Sequence, residues 1–413
     1  MIGQKILLKF ILLTGLISLM SERKATCSEI YLTQKPHVVI LSLDGFRWDY
    51  LDLYHTPNLD SIGRVGVKAH SLKPCFPSKT FPNHYSIATG MHPDHHGIVS
   101  NSFLDPKLNL KYSLGNRKAV RDARFYQGEP MWVTAEKQDV KSACYFWPGS
   151  EAPIKGVYPS MWKKYVHKMP FESRIDSVIN WLSLPQQKRP RLLMWYMHEP
   201  DLAGHLYGPR SKETRLMVER LDSLVGVFCR KMNKLPIAES VQLIVLSDHG
   251  MGAISPQKVV DLSKVLKEEW LEDISGSNPF YMIKPKAEFA EKVYKHLKAE
   301  KHIRTFKKNE VPKRLVFGSN DRIYPIVCVA DSAWSIYWNK KKYSKGGTHG
   351  YDPDNKDMHA IFLAAGNQFK RNYSHPTFSN TEVYNLVMHL LGVKPAENDG
   401  NIERVKSILK DTE

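Results

Sequence analysis

The sequence predicts an α/β protein, a mostly parallel central sheet covered by helices on both faces, with a smaller α+β insertion. Three observations lead there. Apolar runs recur that are continuous rather than alternating, amphipathic helix-like segments lie between them, and each run ends in glycine- or proline-containing punctuation. Continuous apolar runs are what strands buried on both faces require, and strand–helix–strand order implies parallel pairing. With 413 residues and 42% hydrophobic content, the chain can build one large domain or two ordinary ones with a proper core.

Taken in order, residues 1–25 read as a secretory signal, because Lys5 and Lys9 precede an apolar stretch from Phe10 to Met20. That stretch is short for a membrane span, and a retained signal anchor is the alternative. Export predicts a secreted or periplasmic protein with no stable membrane span. Residues 30–395 read as the catalytic domain. Its strands are His37 to Leu43 before Asp44-Gly45, Leu192 to Met197 before Glu199-Pro200-Asp201, and Val241 to Leu246 before Ser247-Asp248-His249-Gly250. Helices are expected over Phe171 to Leu184, Lys212 to Met232 and Thr381 to Leu391. From about 254 to 330 the pattern weakens into an insertion capping the site. Its expected helices are Asp261 to Glu269 and Ala287 to Lys298, and its expected short strands lie near Phe280 to Ile283 and Arg314 to Phe317. Residues 396–413 read as a polar, peripheral tail.

Lysine and arginine total 59 against 42 acidic residues, a formal net charge of +17 that suits anionic ligands or surfaces. Runs such as Lys340-Lys341-Lys342 lack the interleaved aromatic pattern of single-strand binders, so specific nucleic-acid binding is not expected. The cysteines, Cys27, Cys75, Cys144, Cys229 and Cys328, are odd in number and show no CxxC spacing. At most two disulfides are possible, buried free thiols are the other reading, and a cysteine zinc site is excluded.

The residues that carry chemistry are scattered. Asp44, Asp201 and Asp248 all fall just beyond the carboxyl ends of strands, where open α/β sheets place their sites. Asp201 and His205 are four apart, so a helical turn sets them on one face. Asp248 and His249 are adjacent in a loop that can turn both toward one cation, and His349 lies among three glycines in GGTHG. Mixed Asp and His ligation without thiolate fits catalytic zinc with open positions. Thr80 precedes Phe81-Pro82-Asn83-His84-Tyr85, which reads as a helix start. There its hydroxyl meets the positive end of the helix dipole, and a bound cation would lower its pKa further, the combination that makes a nucleophile. A plain N-cap is the other reading for a single threonine.

LSLDGFRWDY, FPSKTFPNHYSIATGMHPDHHGIVSN, FWPGSEAPIKGVYPSMWKKY, EPDLAGHLYGP, SDHGM and THGYDP together resemble the nucleotide pyrophosphatase/phosphodiesterase family of the alkaline phosphatase superfamily. The resemblance implies an alkaline-phosphatase-like core and two zinc ions. One would be held by Asp201, His205 and His349, the other by Asp44, Thr80, Asp248 and His249. It further implies that Asn101 donates to a phosphoryl oxygen, that the backbone amide beside Thr80 does the same, and that Phe81, Leu114, Trp147 and Tyr165 line a nucleotide pocket. Aromatics in these segments could instead be core residues. The implied activity is hydrolysis of nucleotide phosphodiester and pyrophosphate bonds through a threonyl-nucleotide intermediate, releasing nucleoside 5′-monophosphates. Choline-type lipid diesters are the alternative substrates. A monoesterase of the superfamily would usually carry serine as its nucleophile. A sulfatase is disfavoured because Lys79 stands where the CxPxR signature begun at Cys75 wants arginine. An exported binding protein with a degenerate site is disfavoured because every ligand position matches.

Overall fold

The computed structural model describes residues 35–339 and 345–411. The expected signal segment, Cys27 and the run Lys340-Lys341-Lys342 lie outside the described residues.

The central sheet has eight strands, labelled in chain order β1 (His37–Leu43), β2 (Val67–Ala69), β3 (Ser142–Tyr145), β4 (Met161–Lys163), β5 (Leu192–Met197), β6 (Val241–Leu246), β7 (Phe362–Ala365) and β8 (Tyr373–His375). Their spatial order is β8-β2-β7-β6-β1-β5-β3-β4. Only β7 runs against its neighbours; β1 pairs in parallel with both β5 and β6. The continuous apolar runs are explained by which way their residues point. In β1, Val38 and Ile40 enter one core, and Val39, Leu41 and Leu43 enter the other. Both faces of the strand are therefore buried, as a doubly covered sheet demands.

Five helices frame the site: α1 (Thr80–Thr89), α2 (Phe171–Leu182), α3 (Asp201–Tyr207), α4 (Lys212–Met232) and α5 (Glu382–Leu391). Helices α2 and α4 bring Ile175, Val178, Leu221 and Val225 to one face of the sheet, while α1 and α5 bring Tyr85, Ile87, Val383 and Leu386 to the other.

A second, antiparallel sheet is formed by Leu271–Ser277, Phe280–Pro285, Ile326–Ala330 and Ile303–Lys307 in that spatial order. Phe280, Met282, Val327 and Val329 join a core shared with the central sheet. Ile283, Ile326 and Cys328 face Val293 and Leu297 of the helix Ala290–Ala299.

Several expectations need correction. The strand expected near Arg314 to Phe317 is a 3-10 turn over Lys313–Leu315 followed by Val316 in the left-handed region; the strand of this region is Ile326–Ala330. The helix expected over Asp261 to Glu269 divides into Leu262–Val265 and the 3-10 turn Glu268–Trp270. The tail is not peripheral, because Val405, Ile408 and Leu409 are buried in the core shared with α5. Among the described residues, four cysteines are free thiols, with Cys75, Cys144 and Cys328 buried. No helix among the described residues is long and apolar enough to cross a membrane.

Candidate active site

The chain gathers its dispersed Asp and His residues by ending three adjacent parallel strands at one level. The Asp44 amide donates to Met197 O at 3.0 Å and the Asp201 amide donates to Asp44 O at 3.0 Å, so the loops after β1 and β5 are tied together. The loop after β6 joins them through the Phe46 amide, which donates to Ser247 Oγ at 3.0 Å. Buried Arg47 holds this corner with a two-pronged bond to Asp49 at 2.8 Å and donates to Met251 O and Asp357.

Two groups of three result, Asp201 with His205 and His349, and Asp44 with Asp248 and His249. Within each group, potential ligand atoms lie within 4.8 Å of one another. His205 Nε2 is 3.4 Å and His349 Nε2 3.6 Å from Asp201 Oδ1. His249 Nε2 is 3.4 Å from Asp44 Oδ1 and 3.0 Å from Asp248 Oδ2. The groups adjoin, since the His249 and His349 rings stack with centroids 3.5 Å apart.

His349 reaches this place because Gly346 and Gly347 let its strand pass against α3. A Cβ on Gly346, whose φ is +123°, would lie 2.2 Å from His205 O. Only glycine fits that approach. The imidazoles are each fixed through Nδ1, which faces Gly347 O for His205, Gly250 O for His249 and Ser78 O for His349, at 2.8–2.9 Å. A carbonyl can only accept, so Nδ1 carries the proton and Nε2 presents a lone pair to the site.

This arrangement fits bound cations. Asp44 Oδ1, Asp201 Oδ1 and Asp248 Oδ2 are buried with no hydrogen-bond partner, and imidazole nitrogens of His205, His249 and His349 stand 3.0–3.6 Å from them. Burial first, then the charges of Asp248 and Asp201, push the Asp44 carboxyl well above its usual range. Burial together with His249, Lys79 and His205 pushes His349 well below its own, leaving it neutral and able to ligate. A cation removes both conflicts at once.

Thr80 is the first residue of α1, and Lys79, in extended conformation, holds the N-cap position. Thr80 Oγ1 lies 3.2 Å from His249 Nε2. Thr80 is thus not a plain N-cap; its hydroxyl points at the Asp44–Asp248–His249 group from a helix N-terminus. The Phe81 amide donates to Asn101 Oδ1 at 3.0 Å, so the oxygen end of that side chain is the one turned to α1. The amide beside Thr80 is therefore already engaged, where an amide open to a phosphoryl oxygen was expected.

Among the aromatic residues, the structure separates roles. Phe81 is partly buried against Tyr112, and Leu114 is exposed, its amide bonded to Asn101 O at 3.0 Å. Tyr165 leans on Tyr196 at 6.2 Å, and Tyr196 in turn donates to Asp44 Oδ2 at 2.5 Å. Trp147 is fully buried, its indole donating to His84 O, so it forms floor beneath α1 rather than open wall.

Three neighbours escaped the sequence reading. His84 Nδ1 lies 2.9 Å from Thr80 O and 3.2 Å from Asp248 Oδ2, and its Nε2 meets Ser42 Oγ at 2.8 Å. Its spacing of four from Thr80 was the available signal. Tyr196 carried only its strand-end position. Lys79, its amine lowered to about 7 by burial against the pull of Asp201, donates to Asn278 O at 2.6 Å and ties the helix that begins at Thr80 to the second sheet.

With this geometry in place, comparison with known proteins is decisive. The family described as type I phosphodiesterase / nucleotide pyrophosphatase matches residues 38–352. The chain belongs to that family. This phosphodiesterase-family chain is 37% identical to human ectonucleotide pyrophosphatase/phosphodiesterase family member 1 over 393 residues. That match spans 91% of this chain and 42% of the human protein. It is 37% identical over 410 residues to a venom phosphodiesterase of Naja atra, covering 94% of this chain and 48% of the venom enzyme. The chain thus spans about half the length of these curated relatives. Murine ectonucleotide pyrophosphatase/phosphodiesterase 5, solved as an inactive threonine-to-alanine variant with AMP, superposes with a TM-score of 0.86 at 34% identity. It covers 91% of this chain and 100% of that structure. The human form of the same protein gives 0.87 at 33% identity, with the same coverage. The family membership and the mostly parallel, doubly covered sheet agree with the resemblance drawn from the motifs.

Proposed function

We propose that this protein is an exported, zinc-dependent phosphodiesterase that hydrolyses nucleotide phosphodiester and pyrophosphate bonds and releases nucleoside 5′-monophosphates. The observation that carries the reading is Thr80 Oγ1, at a helix N-terminus and 3.2 Å from His249 Nε2, beside carboxylate oxygens that lack partners.

Asp201, His205 and His349 would hold one zinc ion, and Asp44, Asp248, His249 and the Thr80 oxygen the other. Two such ions supply Lewis-acid stabilisation of the attacking and leaving oxygens of an in-line displacement. The chain's own groups do the rest. Thr80 Oγ1 attacks phosphorus, forming an Oγ1–P bond as the P–O bond to the leaving group breaks, and its proton passes by way of solvent to the departing oxygen. Water then cleaves the Oγ1–P bond and gives a proton to Thr80. Asn101 Nδ2, oriented by the Phe81 amide, donates to the phosphoryl oxygen that gains charge. His84, between Thr80 O and Asp248, holds the nucleophile's turn against its ligand group. Phe81 and Tyr165 would sandwich the base, with Leu114 at the pocket edge and Trp147 beneath; such stacking contributes about 1 to 3 kcal/mol per base. The murine relative that binds AMP after loss of a threonine supports both the nucleotide and the nucleophile.

Thr80→Ala should abolish turnover of nitrophenyl thymidine monophosphate by at least about 10³-fold while zinc content, measured by elemental analysis, is largely retained. Full turnover by that variant would overturn the nucleophile assignment. Preferential hydrolysis of nitrophenylphosphocholine by the wild type would replace the nucleotide reading.

A further inference from the structure

We propose that Arg117 reads the edge of the bound base and gives this enzyme a preference for guanine, an inference that rests on the base sandwich above.

A path of hydrogen bonds and a short stretch of chain leads from Thr80 to the base plate. The Phe81 amide meets Asn101 Oδ1, the Leu114 amide meets Asn101 O, and Arg117 opens the short helix that follows. At its far end Glu151 acts as a hub. This carboxylate is 6% exposed, and it accepts from the Tyr165 amide at 3.1 Å, from Arg121 Nε at 3.1 Å and from Arg117 Nη2. One group therefore fixes both the Tyr165 backbone and the Arg117 guanidinium, whose centre lies 5.8 Å from the Tyr165 ring centroid.

The remaining donors of Arg117 are not consumed. Among the described residues Nη1, and with it the second Nη2 proton, make no hydrogen bond to the protein, and the side chain is 34% exposed. The result is a charged donor fork, held on one side by Glu151 and lying over the ring on which a base would stack. Guanine presents two acceptors, O6 and N7, at the spacing such a fork matches. Adenine offers N7 beside an N6 donor, which a guanidinium repels. A solvated lysine would attract any anion equally, whereas a held guanidinium discriminates by geometry.

The test compares kcat/KM for nitrophenyl esters of GMP, AMP, CMP and UMP, each taken relative to the same protein's rate on base-free bis(nitrophenyl) phosphate. The wild type should favour the guanosine ester over the adenosine ester by about tenfold. Both Arg117→Ala and Arg117→Lys should reduce that ratio to about one, because lysine keeps the charge and loses the fork. Equal rates in the wild type, or a guanine preference that survives Arg117→Ala, would overturn the proposal. Turnover of the base-free diester alone would instead refute the nucleotide pocket, and with it this inference. Absence of turnover on every diester would refute the diesterase reading itself.

Discussion

Asn101 Oδ1 accepts the Phe81 amide at 3.0 Å, so the residue after Thr80 decides which end of the Asn101 side chain is left for other partners. An asparagine amide can present oxygen or nitrogen, and only nitrogen helps a phosphoryl oxygen that gains negative charge. The bond makes that choice before substrate arrives, which is the preorganisation that electrostatic stabilisation depends on.

Asn101→Ala should accordingly lower kcat by about 10² to 10³ with a much smaller change in KM. Steady-state kinetics on a nitrophenyl nucleotide ester separate the two. A change confined to KM would mean that Asn101 binds the ground state only.

Metal removal should destabilise as well as inactivate. Without cations, the partnerless oxygens of Asp44, Asp201 and Asp248 are buried close together. A ligand present at 100 times its Kd stabilises the folded state by about 2.7 kcal/mol per site. Chelated protein should therefore melt several degrees lower, and zinc should restore both Tm and activity. An unchanged Tm on complete zinc removal would contradict the burial argument.

Gly346→Ala tests how His349 and His205 are brought together. The new Cβ would sit 2.2 Å from His205 O, at a φ of +123° that side chains rarely adopt. Backbone has to move, at about 2 to 4 kcal/mol of stability. Because the displaced carbonyl belongs to His205 itself, the proposed site at Asp201, His205 and His349 should lose zinc before the other. Calorimetric zinc titration should show two tight sites becoming one; two unaltered sites would show that the loop absorbs the methyl group elsewhere.

What was legible beforehand followed from local signals. Asp44, Asp201 and Asp248 could be placed at strand ends because each follows a continuous apolar run broken by a turn, and Asp201 and His205 share a helical face. Long-range consequences were not legible. Arg314 to Phe317 read as a strand from composition, yet Arg314 leaves the sheet to pair with Asp352, and Ile326–Ala330 takes the strand position. The tail looked polar residue by residue, but Val405 and Ile408 are spaced to reach the core under α5. His84 stood out only as part of a helix start and Tyr196 only as part of a strand, until the fold set them against Asp248 and Asp44.

Acid should act on the Asp352 cluster that anchors the His349 loop to the second sheet. Arg314 grips Asp352 with two bonds, Nη1 to Oδ1 at 2.8 Å and Nη2 to Oδ2 at 2.5 Å, and Arg304 Nη1 adds a third at 2.9 Å. Burial opposes the charged form, but the Arg314 bonds, the Asp354 amide and both arginine charges outweigh it and hold the carboxyl at about 2. That lies below the unfolded value of about 3.9, so the folded state binds the proton less readily than the unfolded state. The stabilisation is therefore complete above about pH 5 and is lost as pH falls from about 4 to 2. Both arginines are over 40% exposed, so solvent screening keeps the net contribution to about 1 kcal/mol. Asp352→Asn should be less stable than the wild type by about that amount in urea unfolding at pH 7. The gap should shrink with added salt and fall to about half near pH 3. A gap of the same size at pH 7 and pH 2.5 would show that the side chain stabilises by packing and not by its charge.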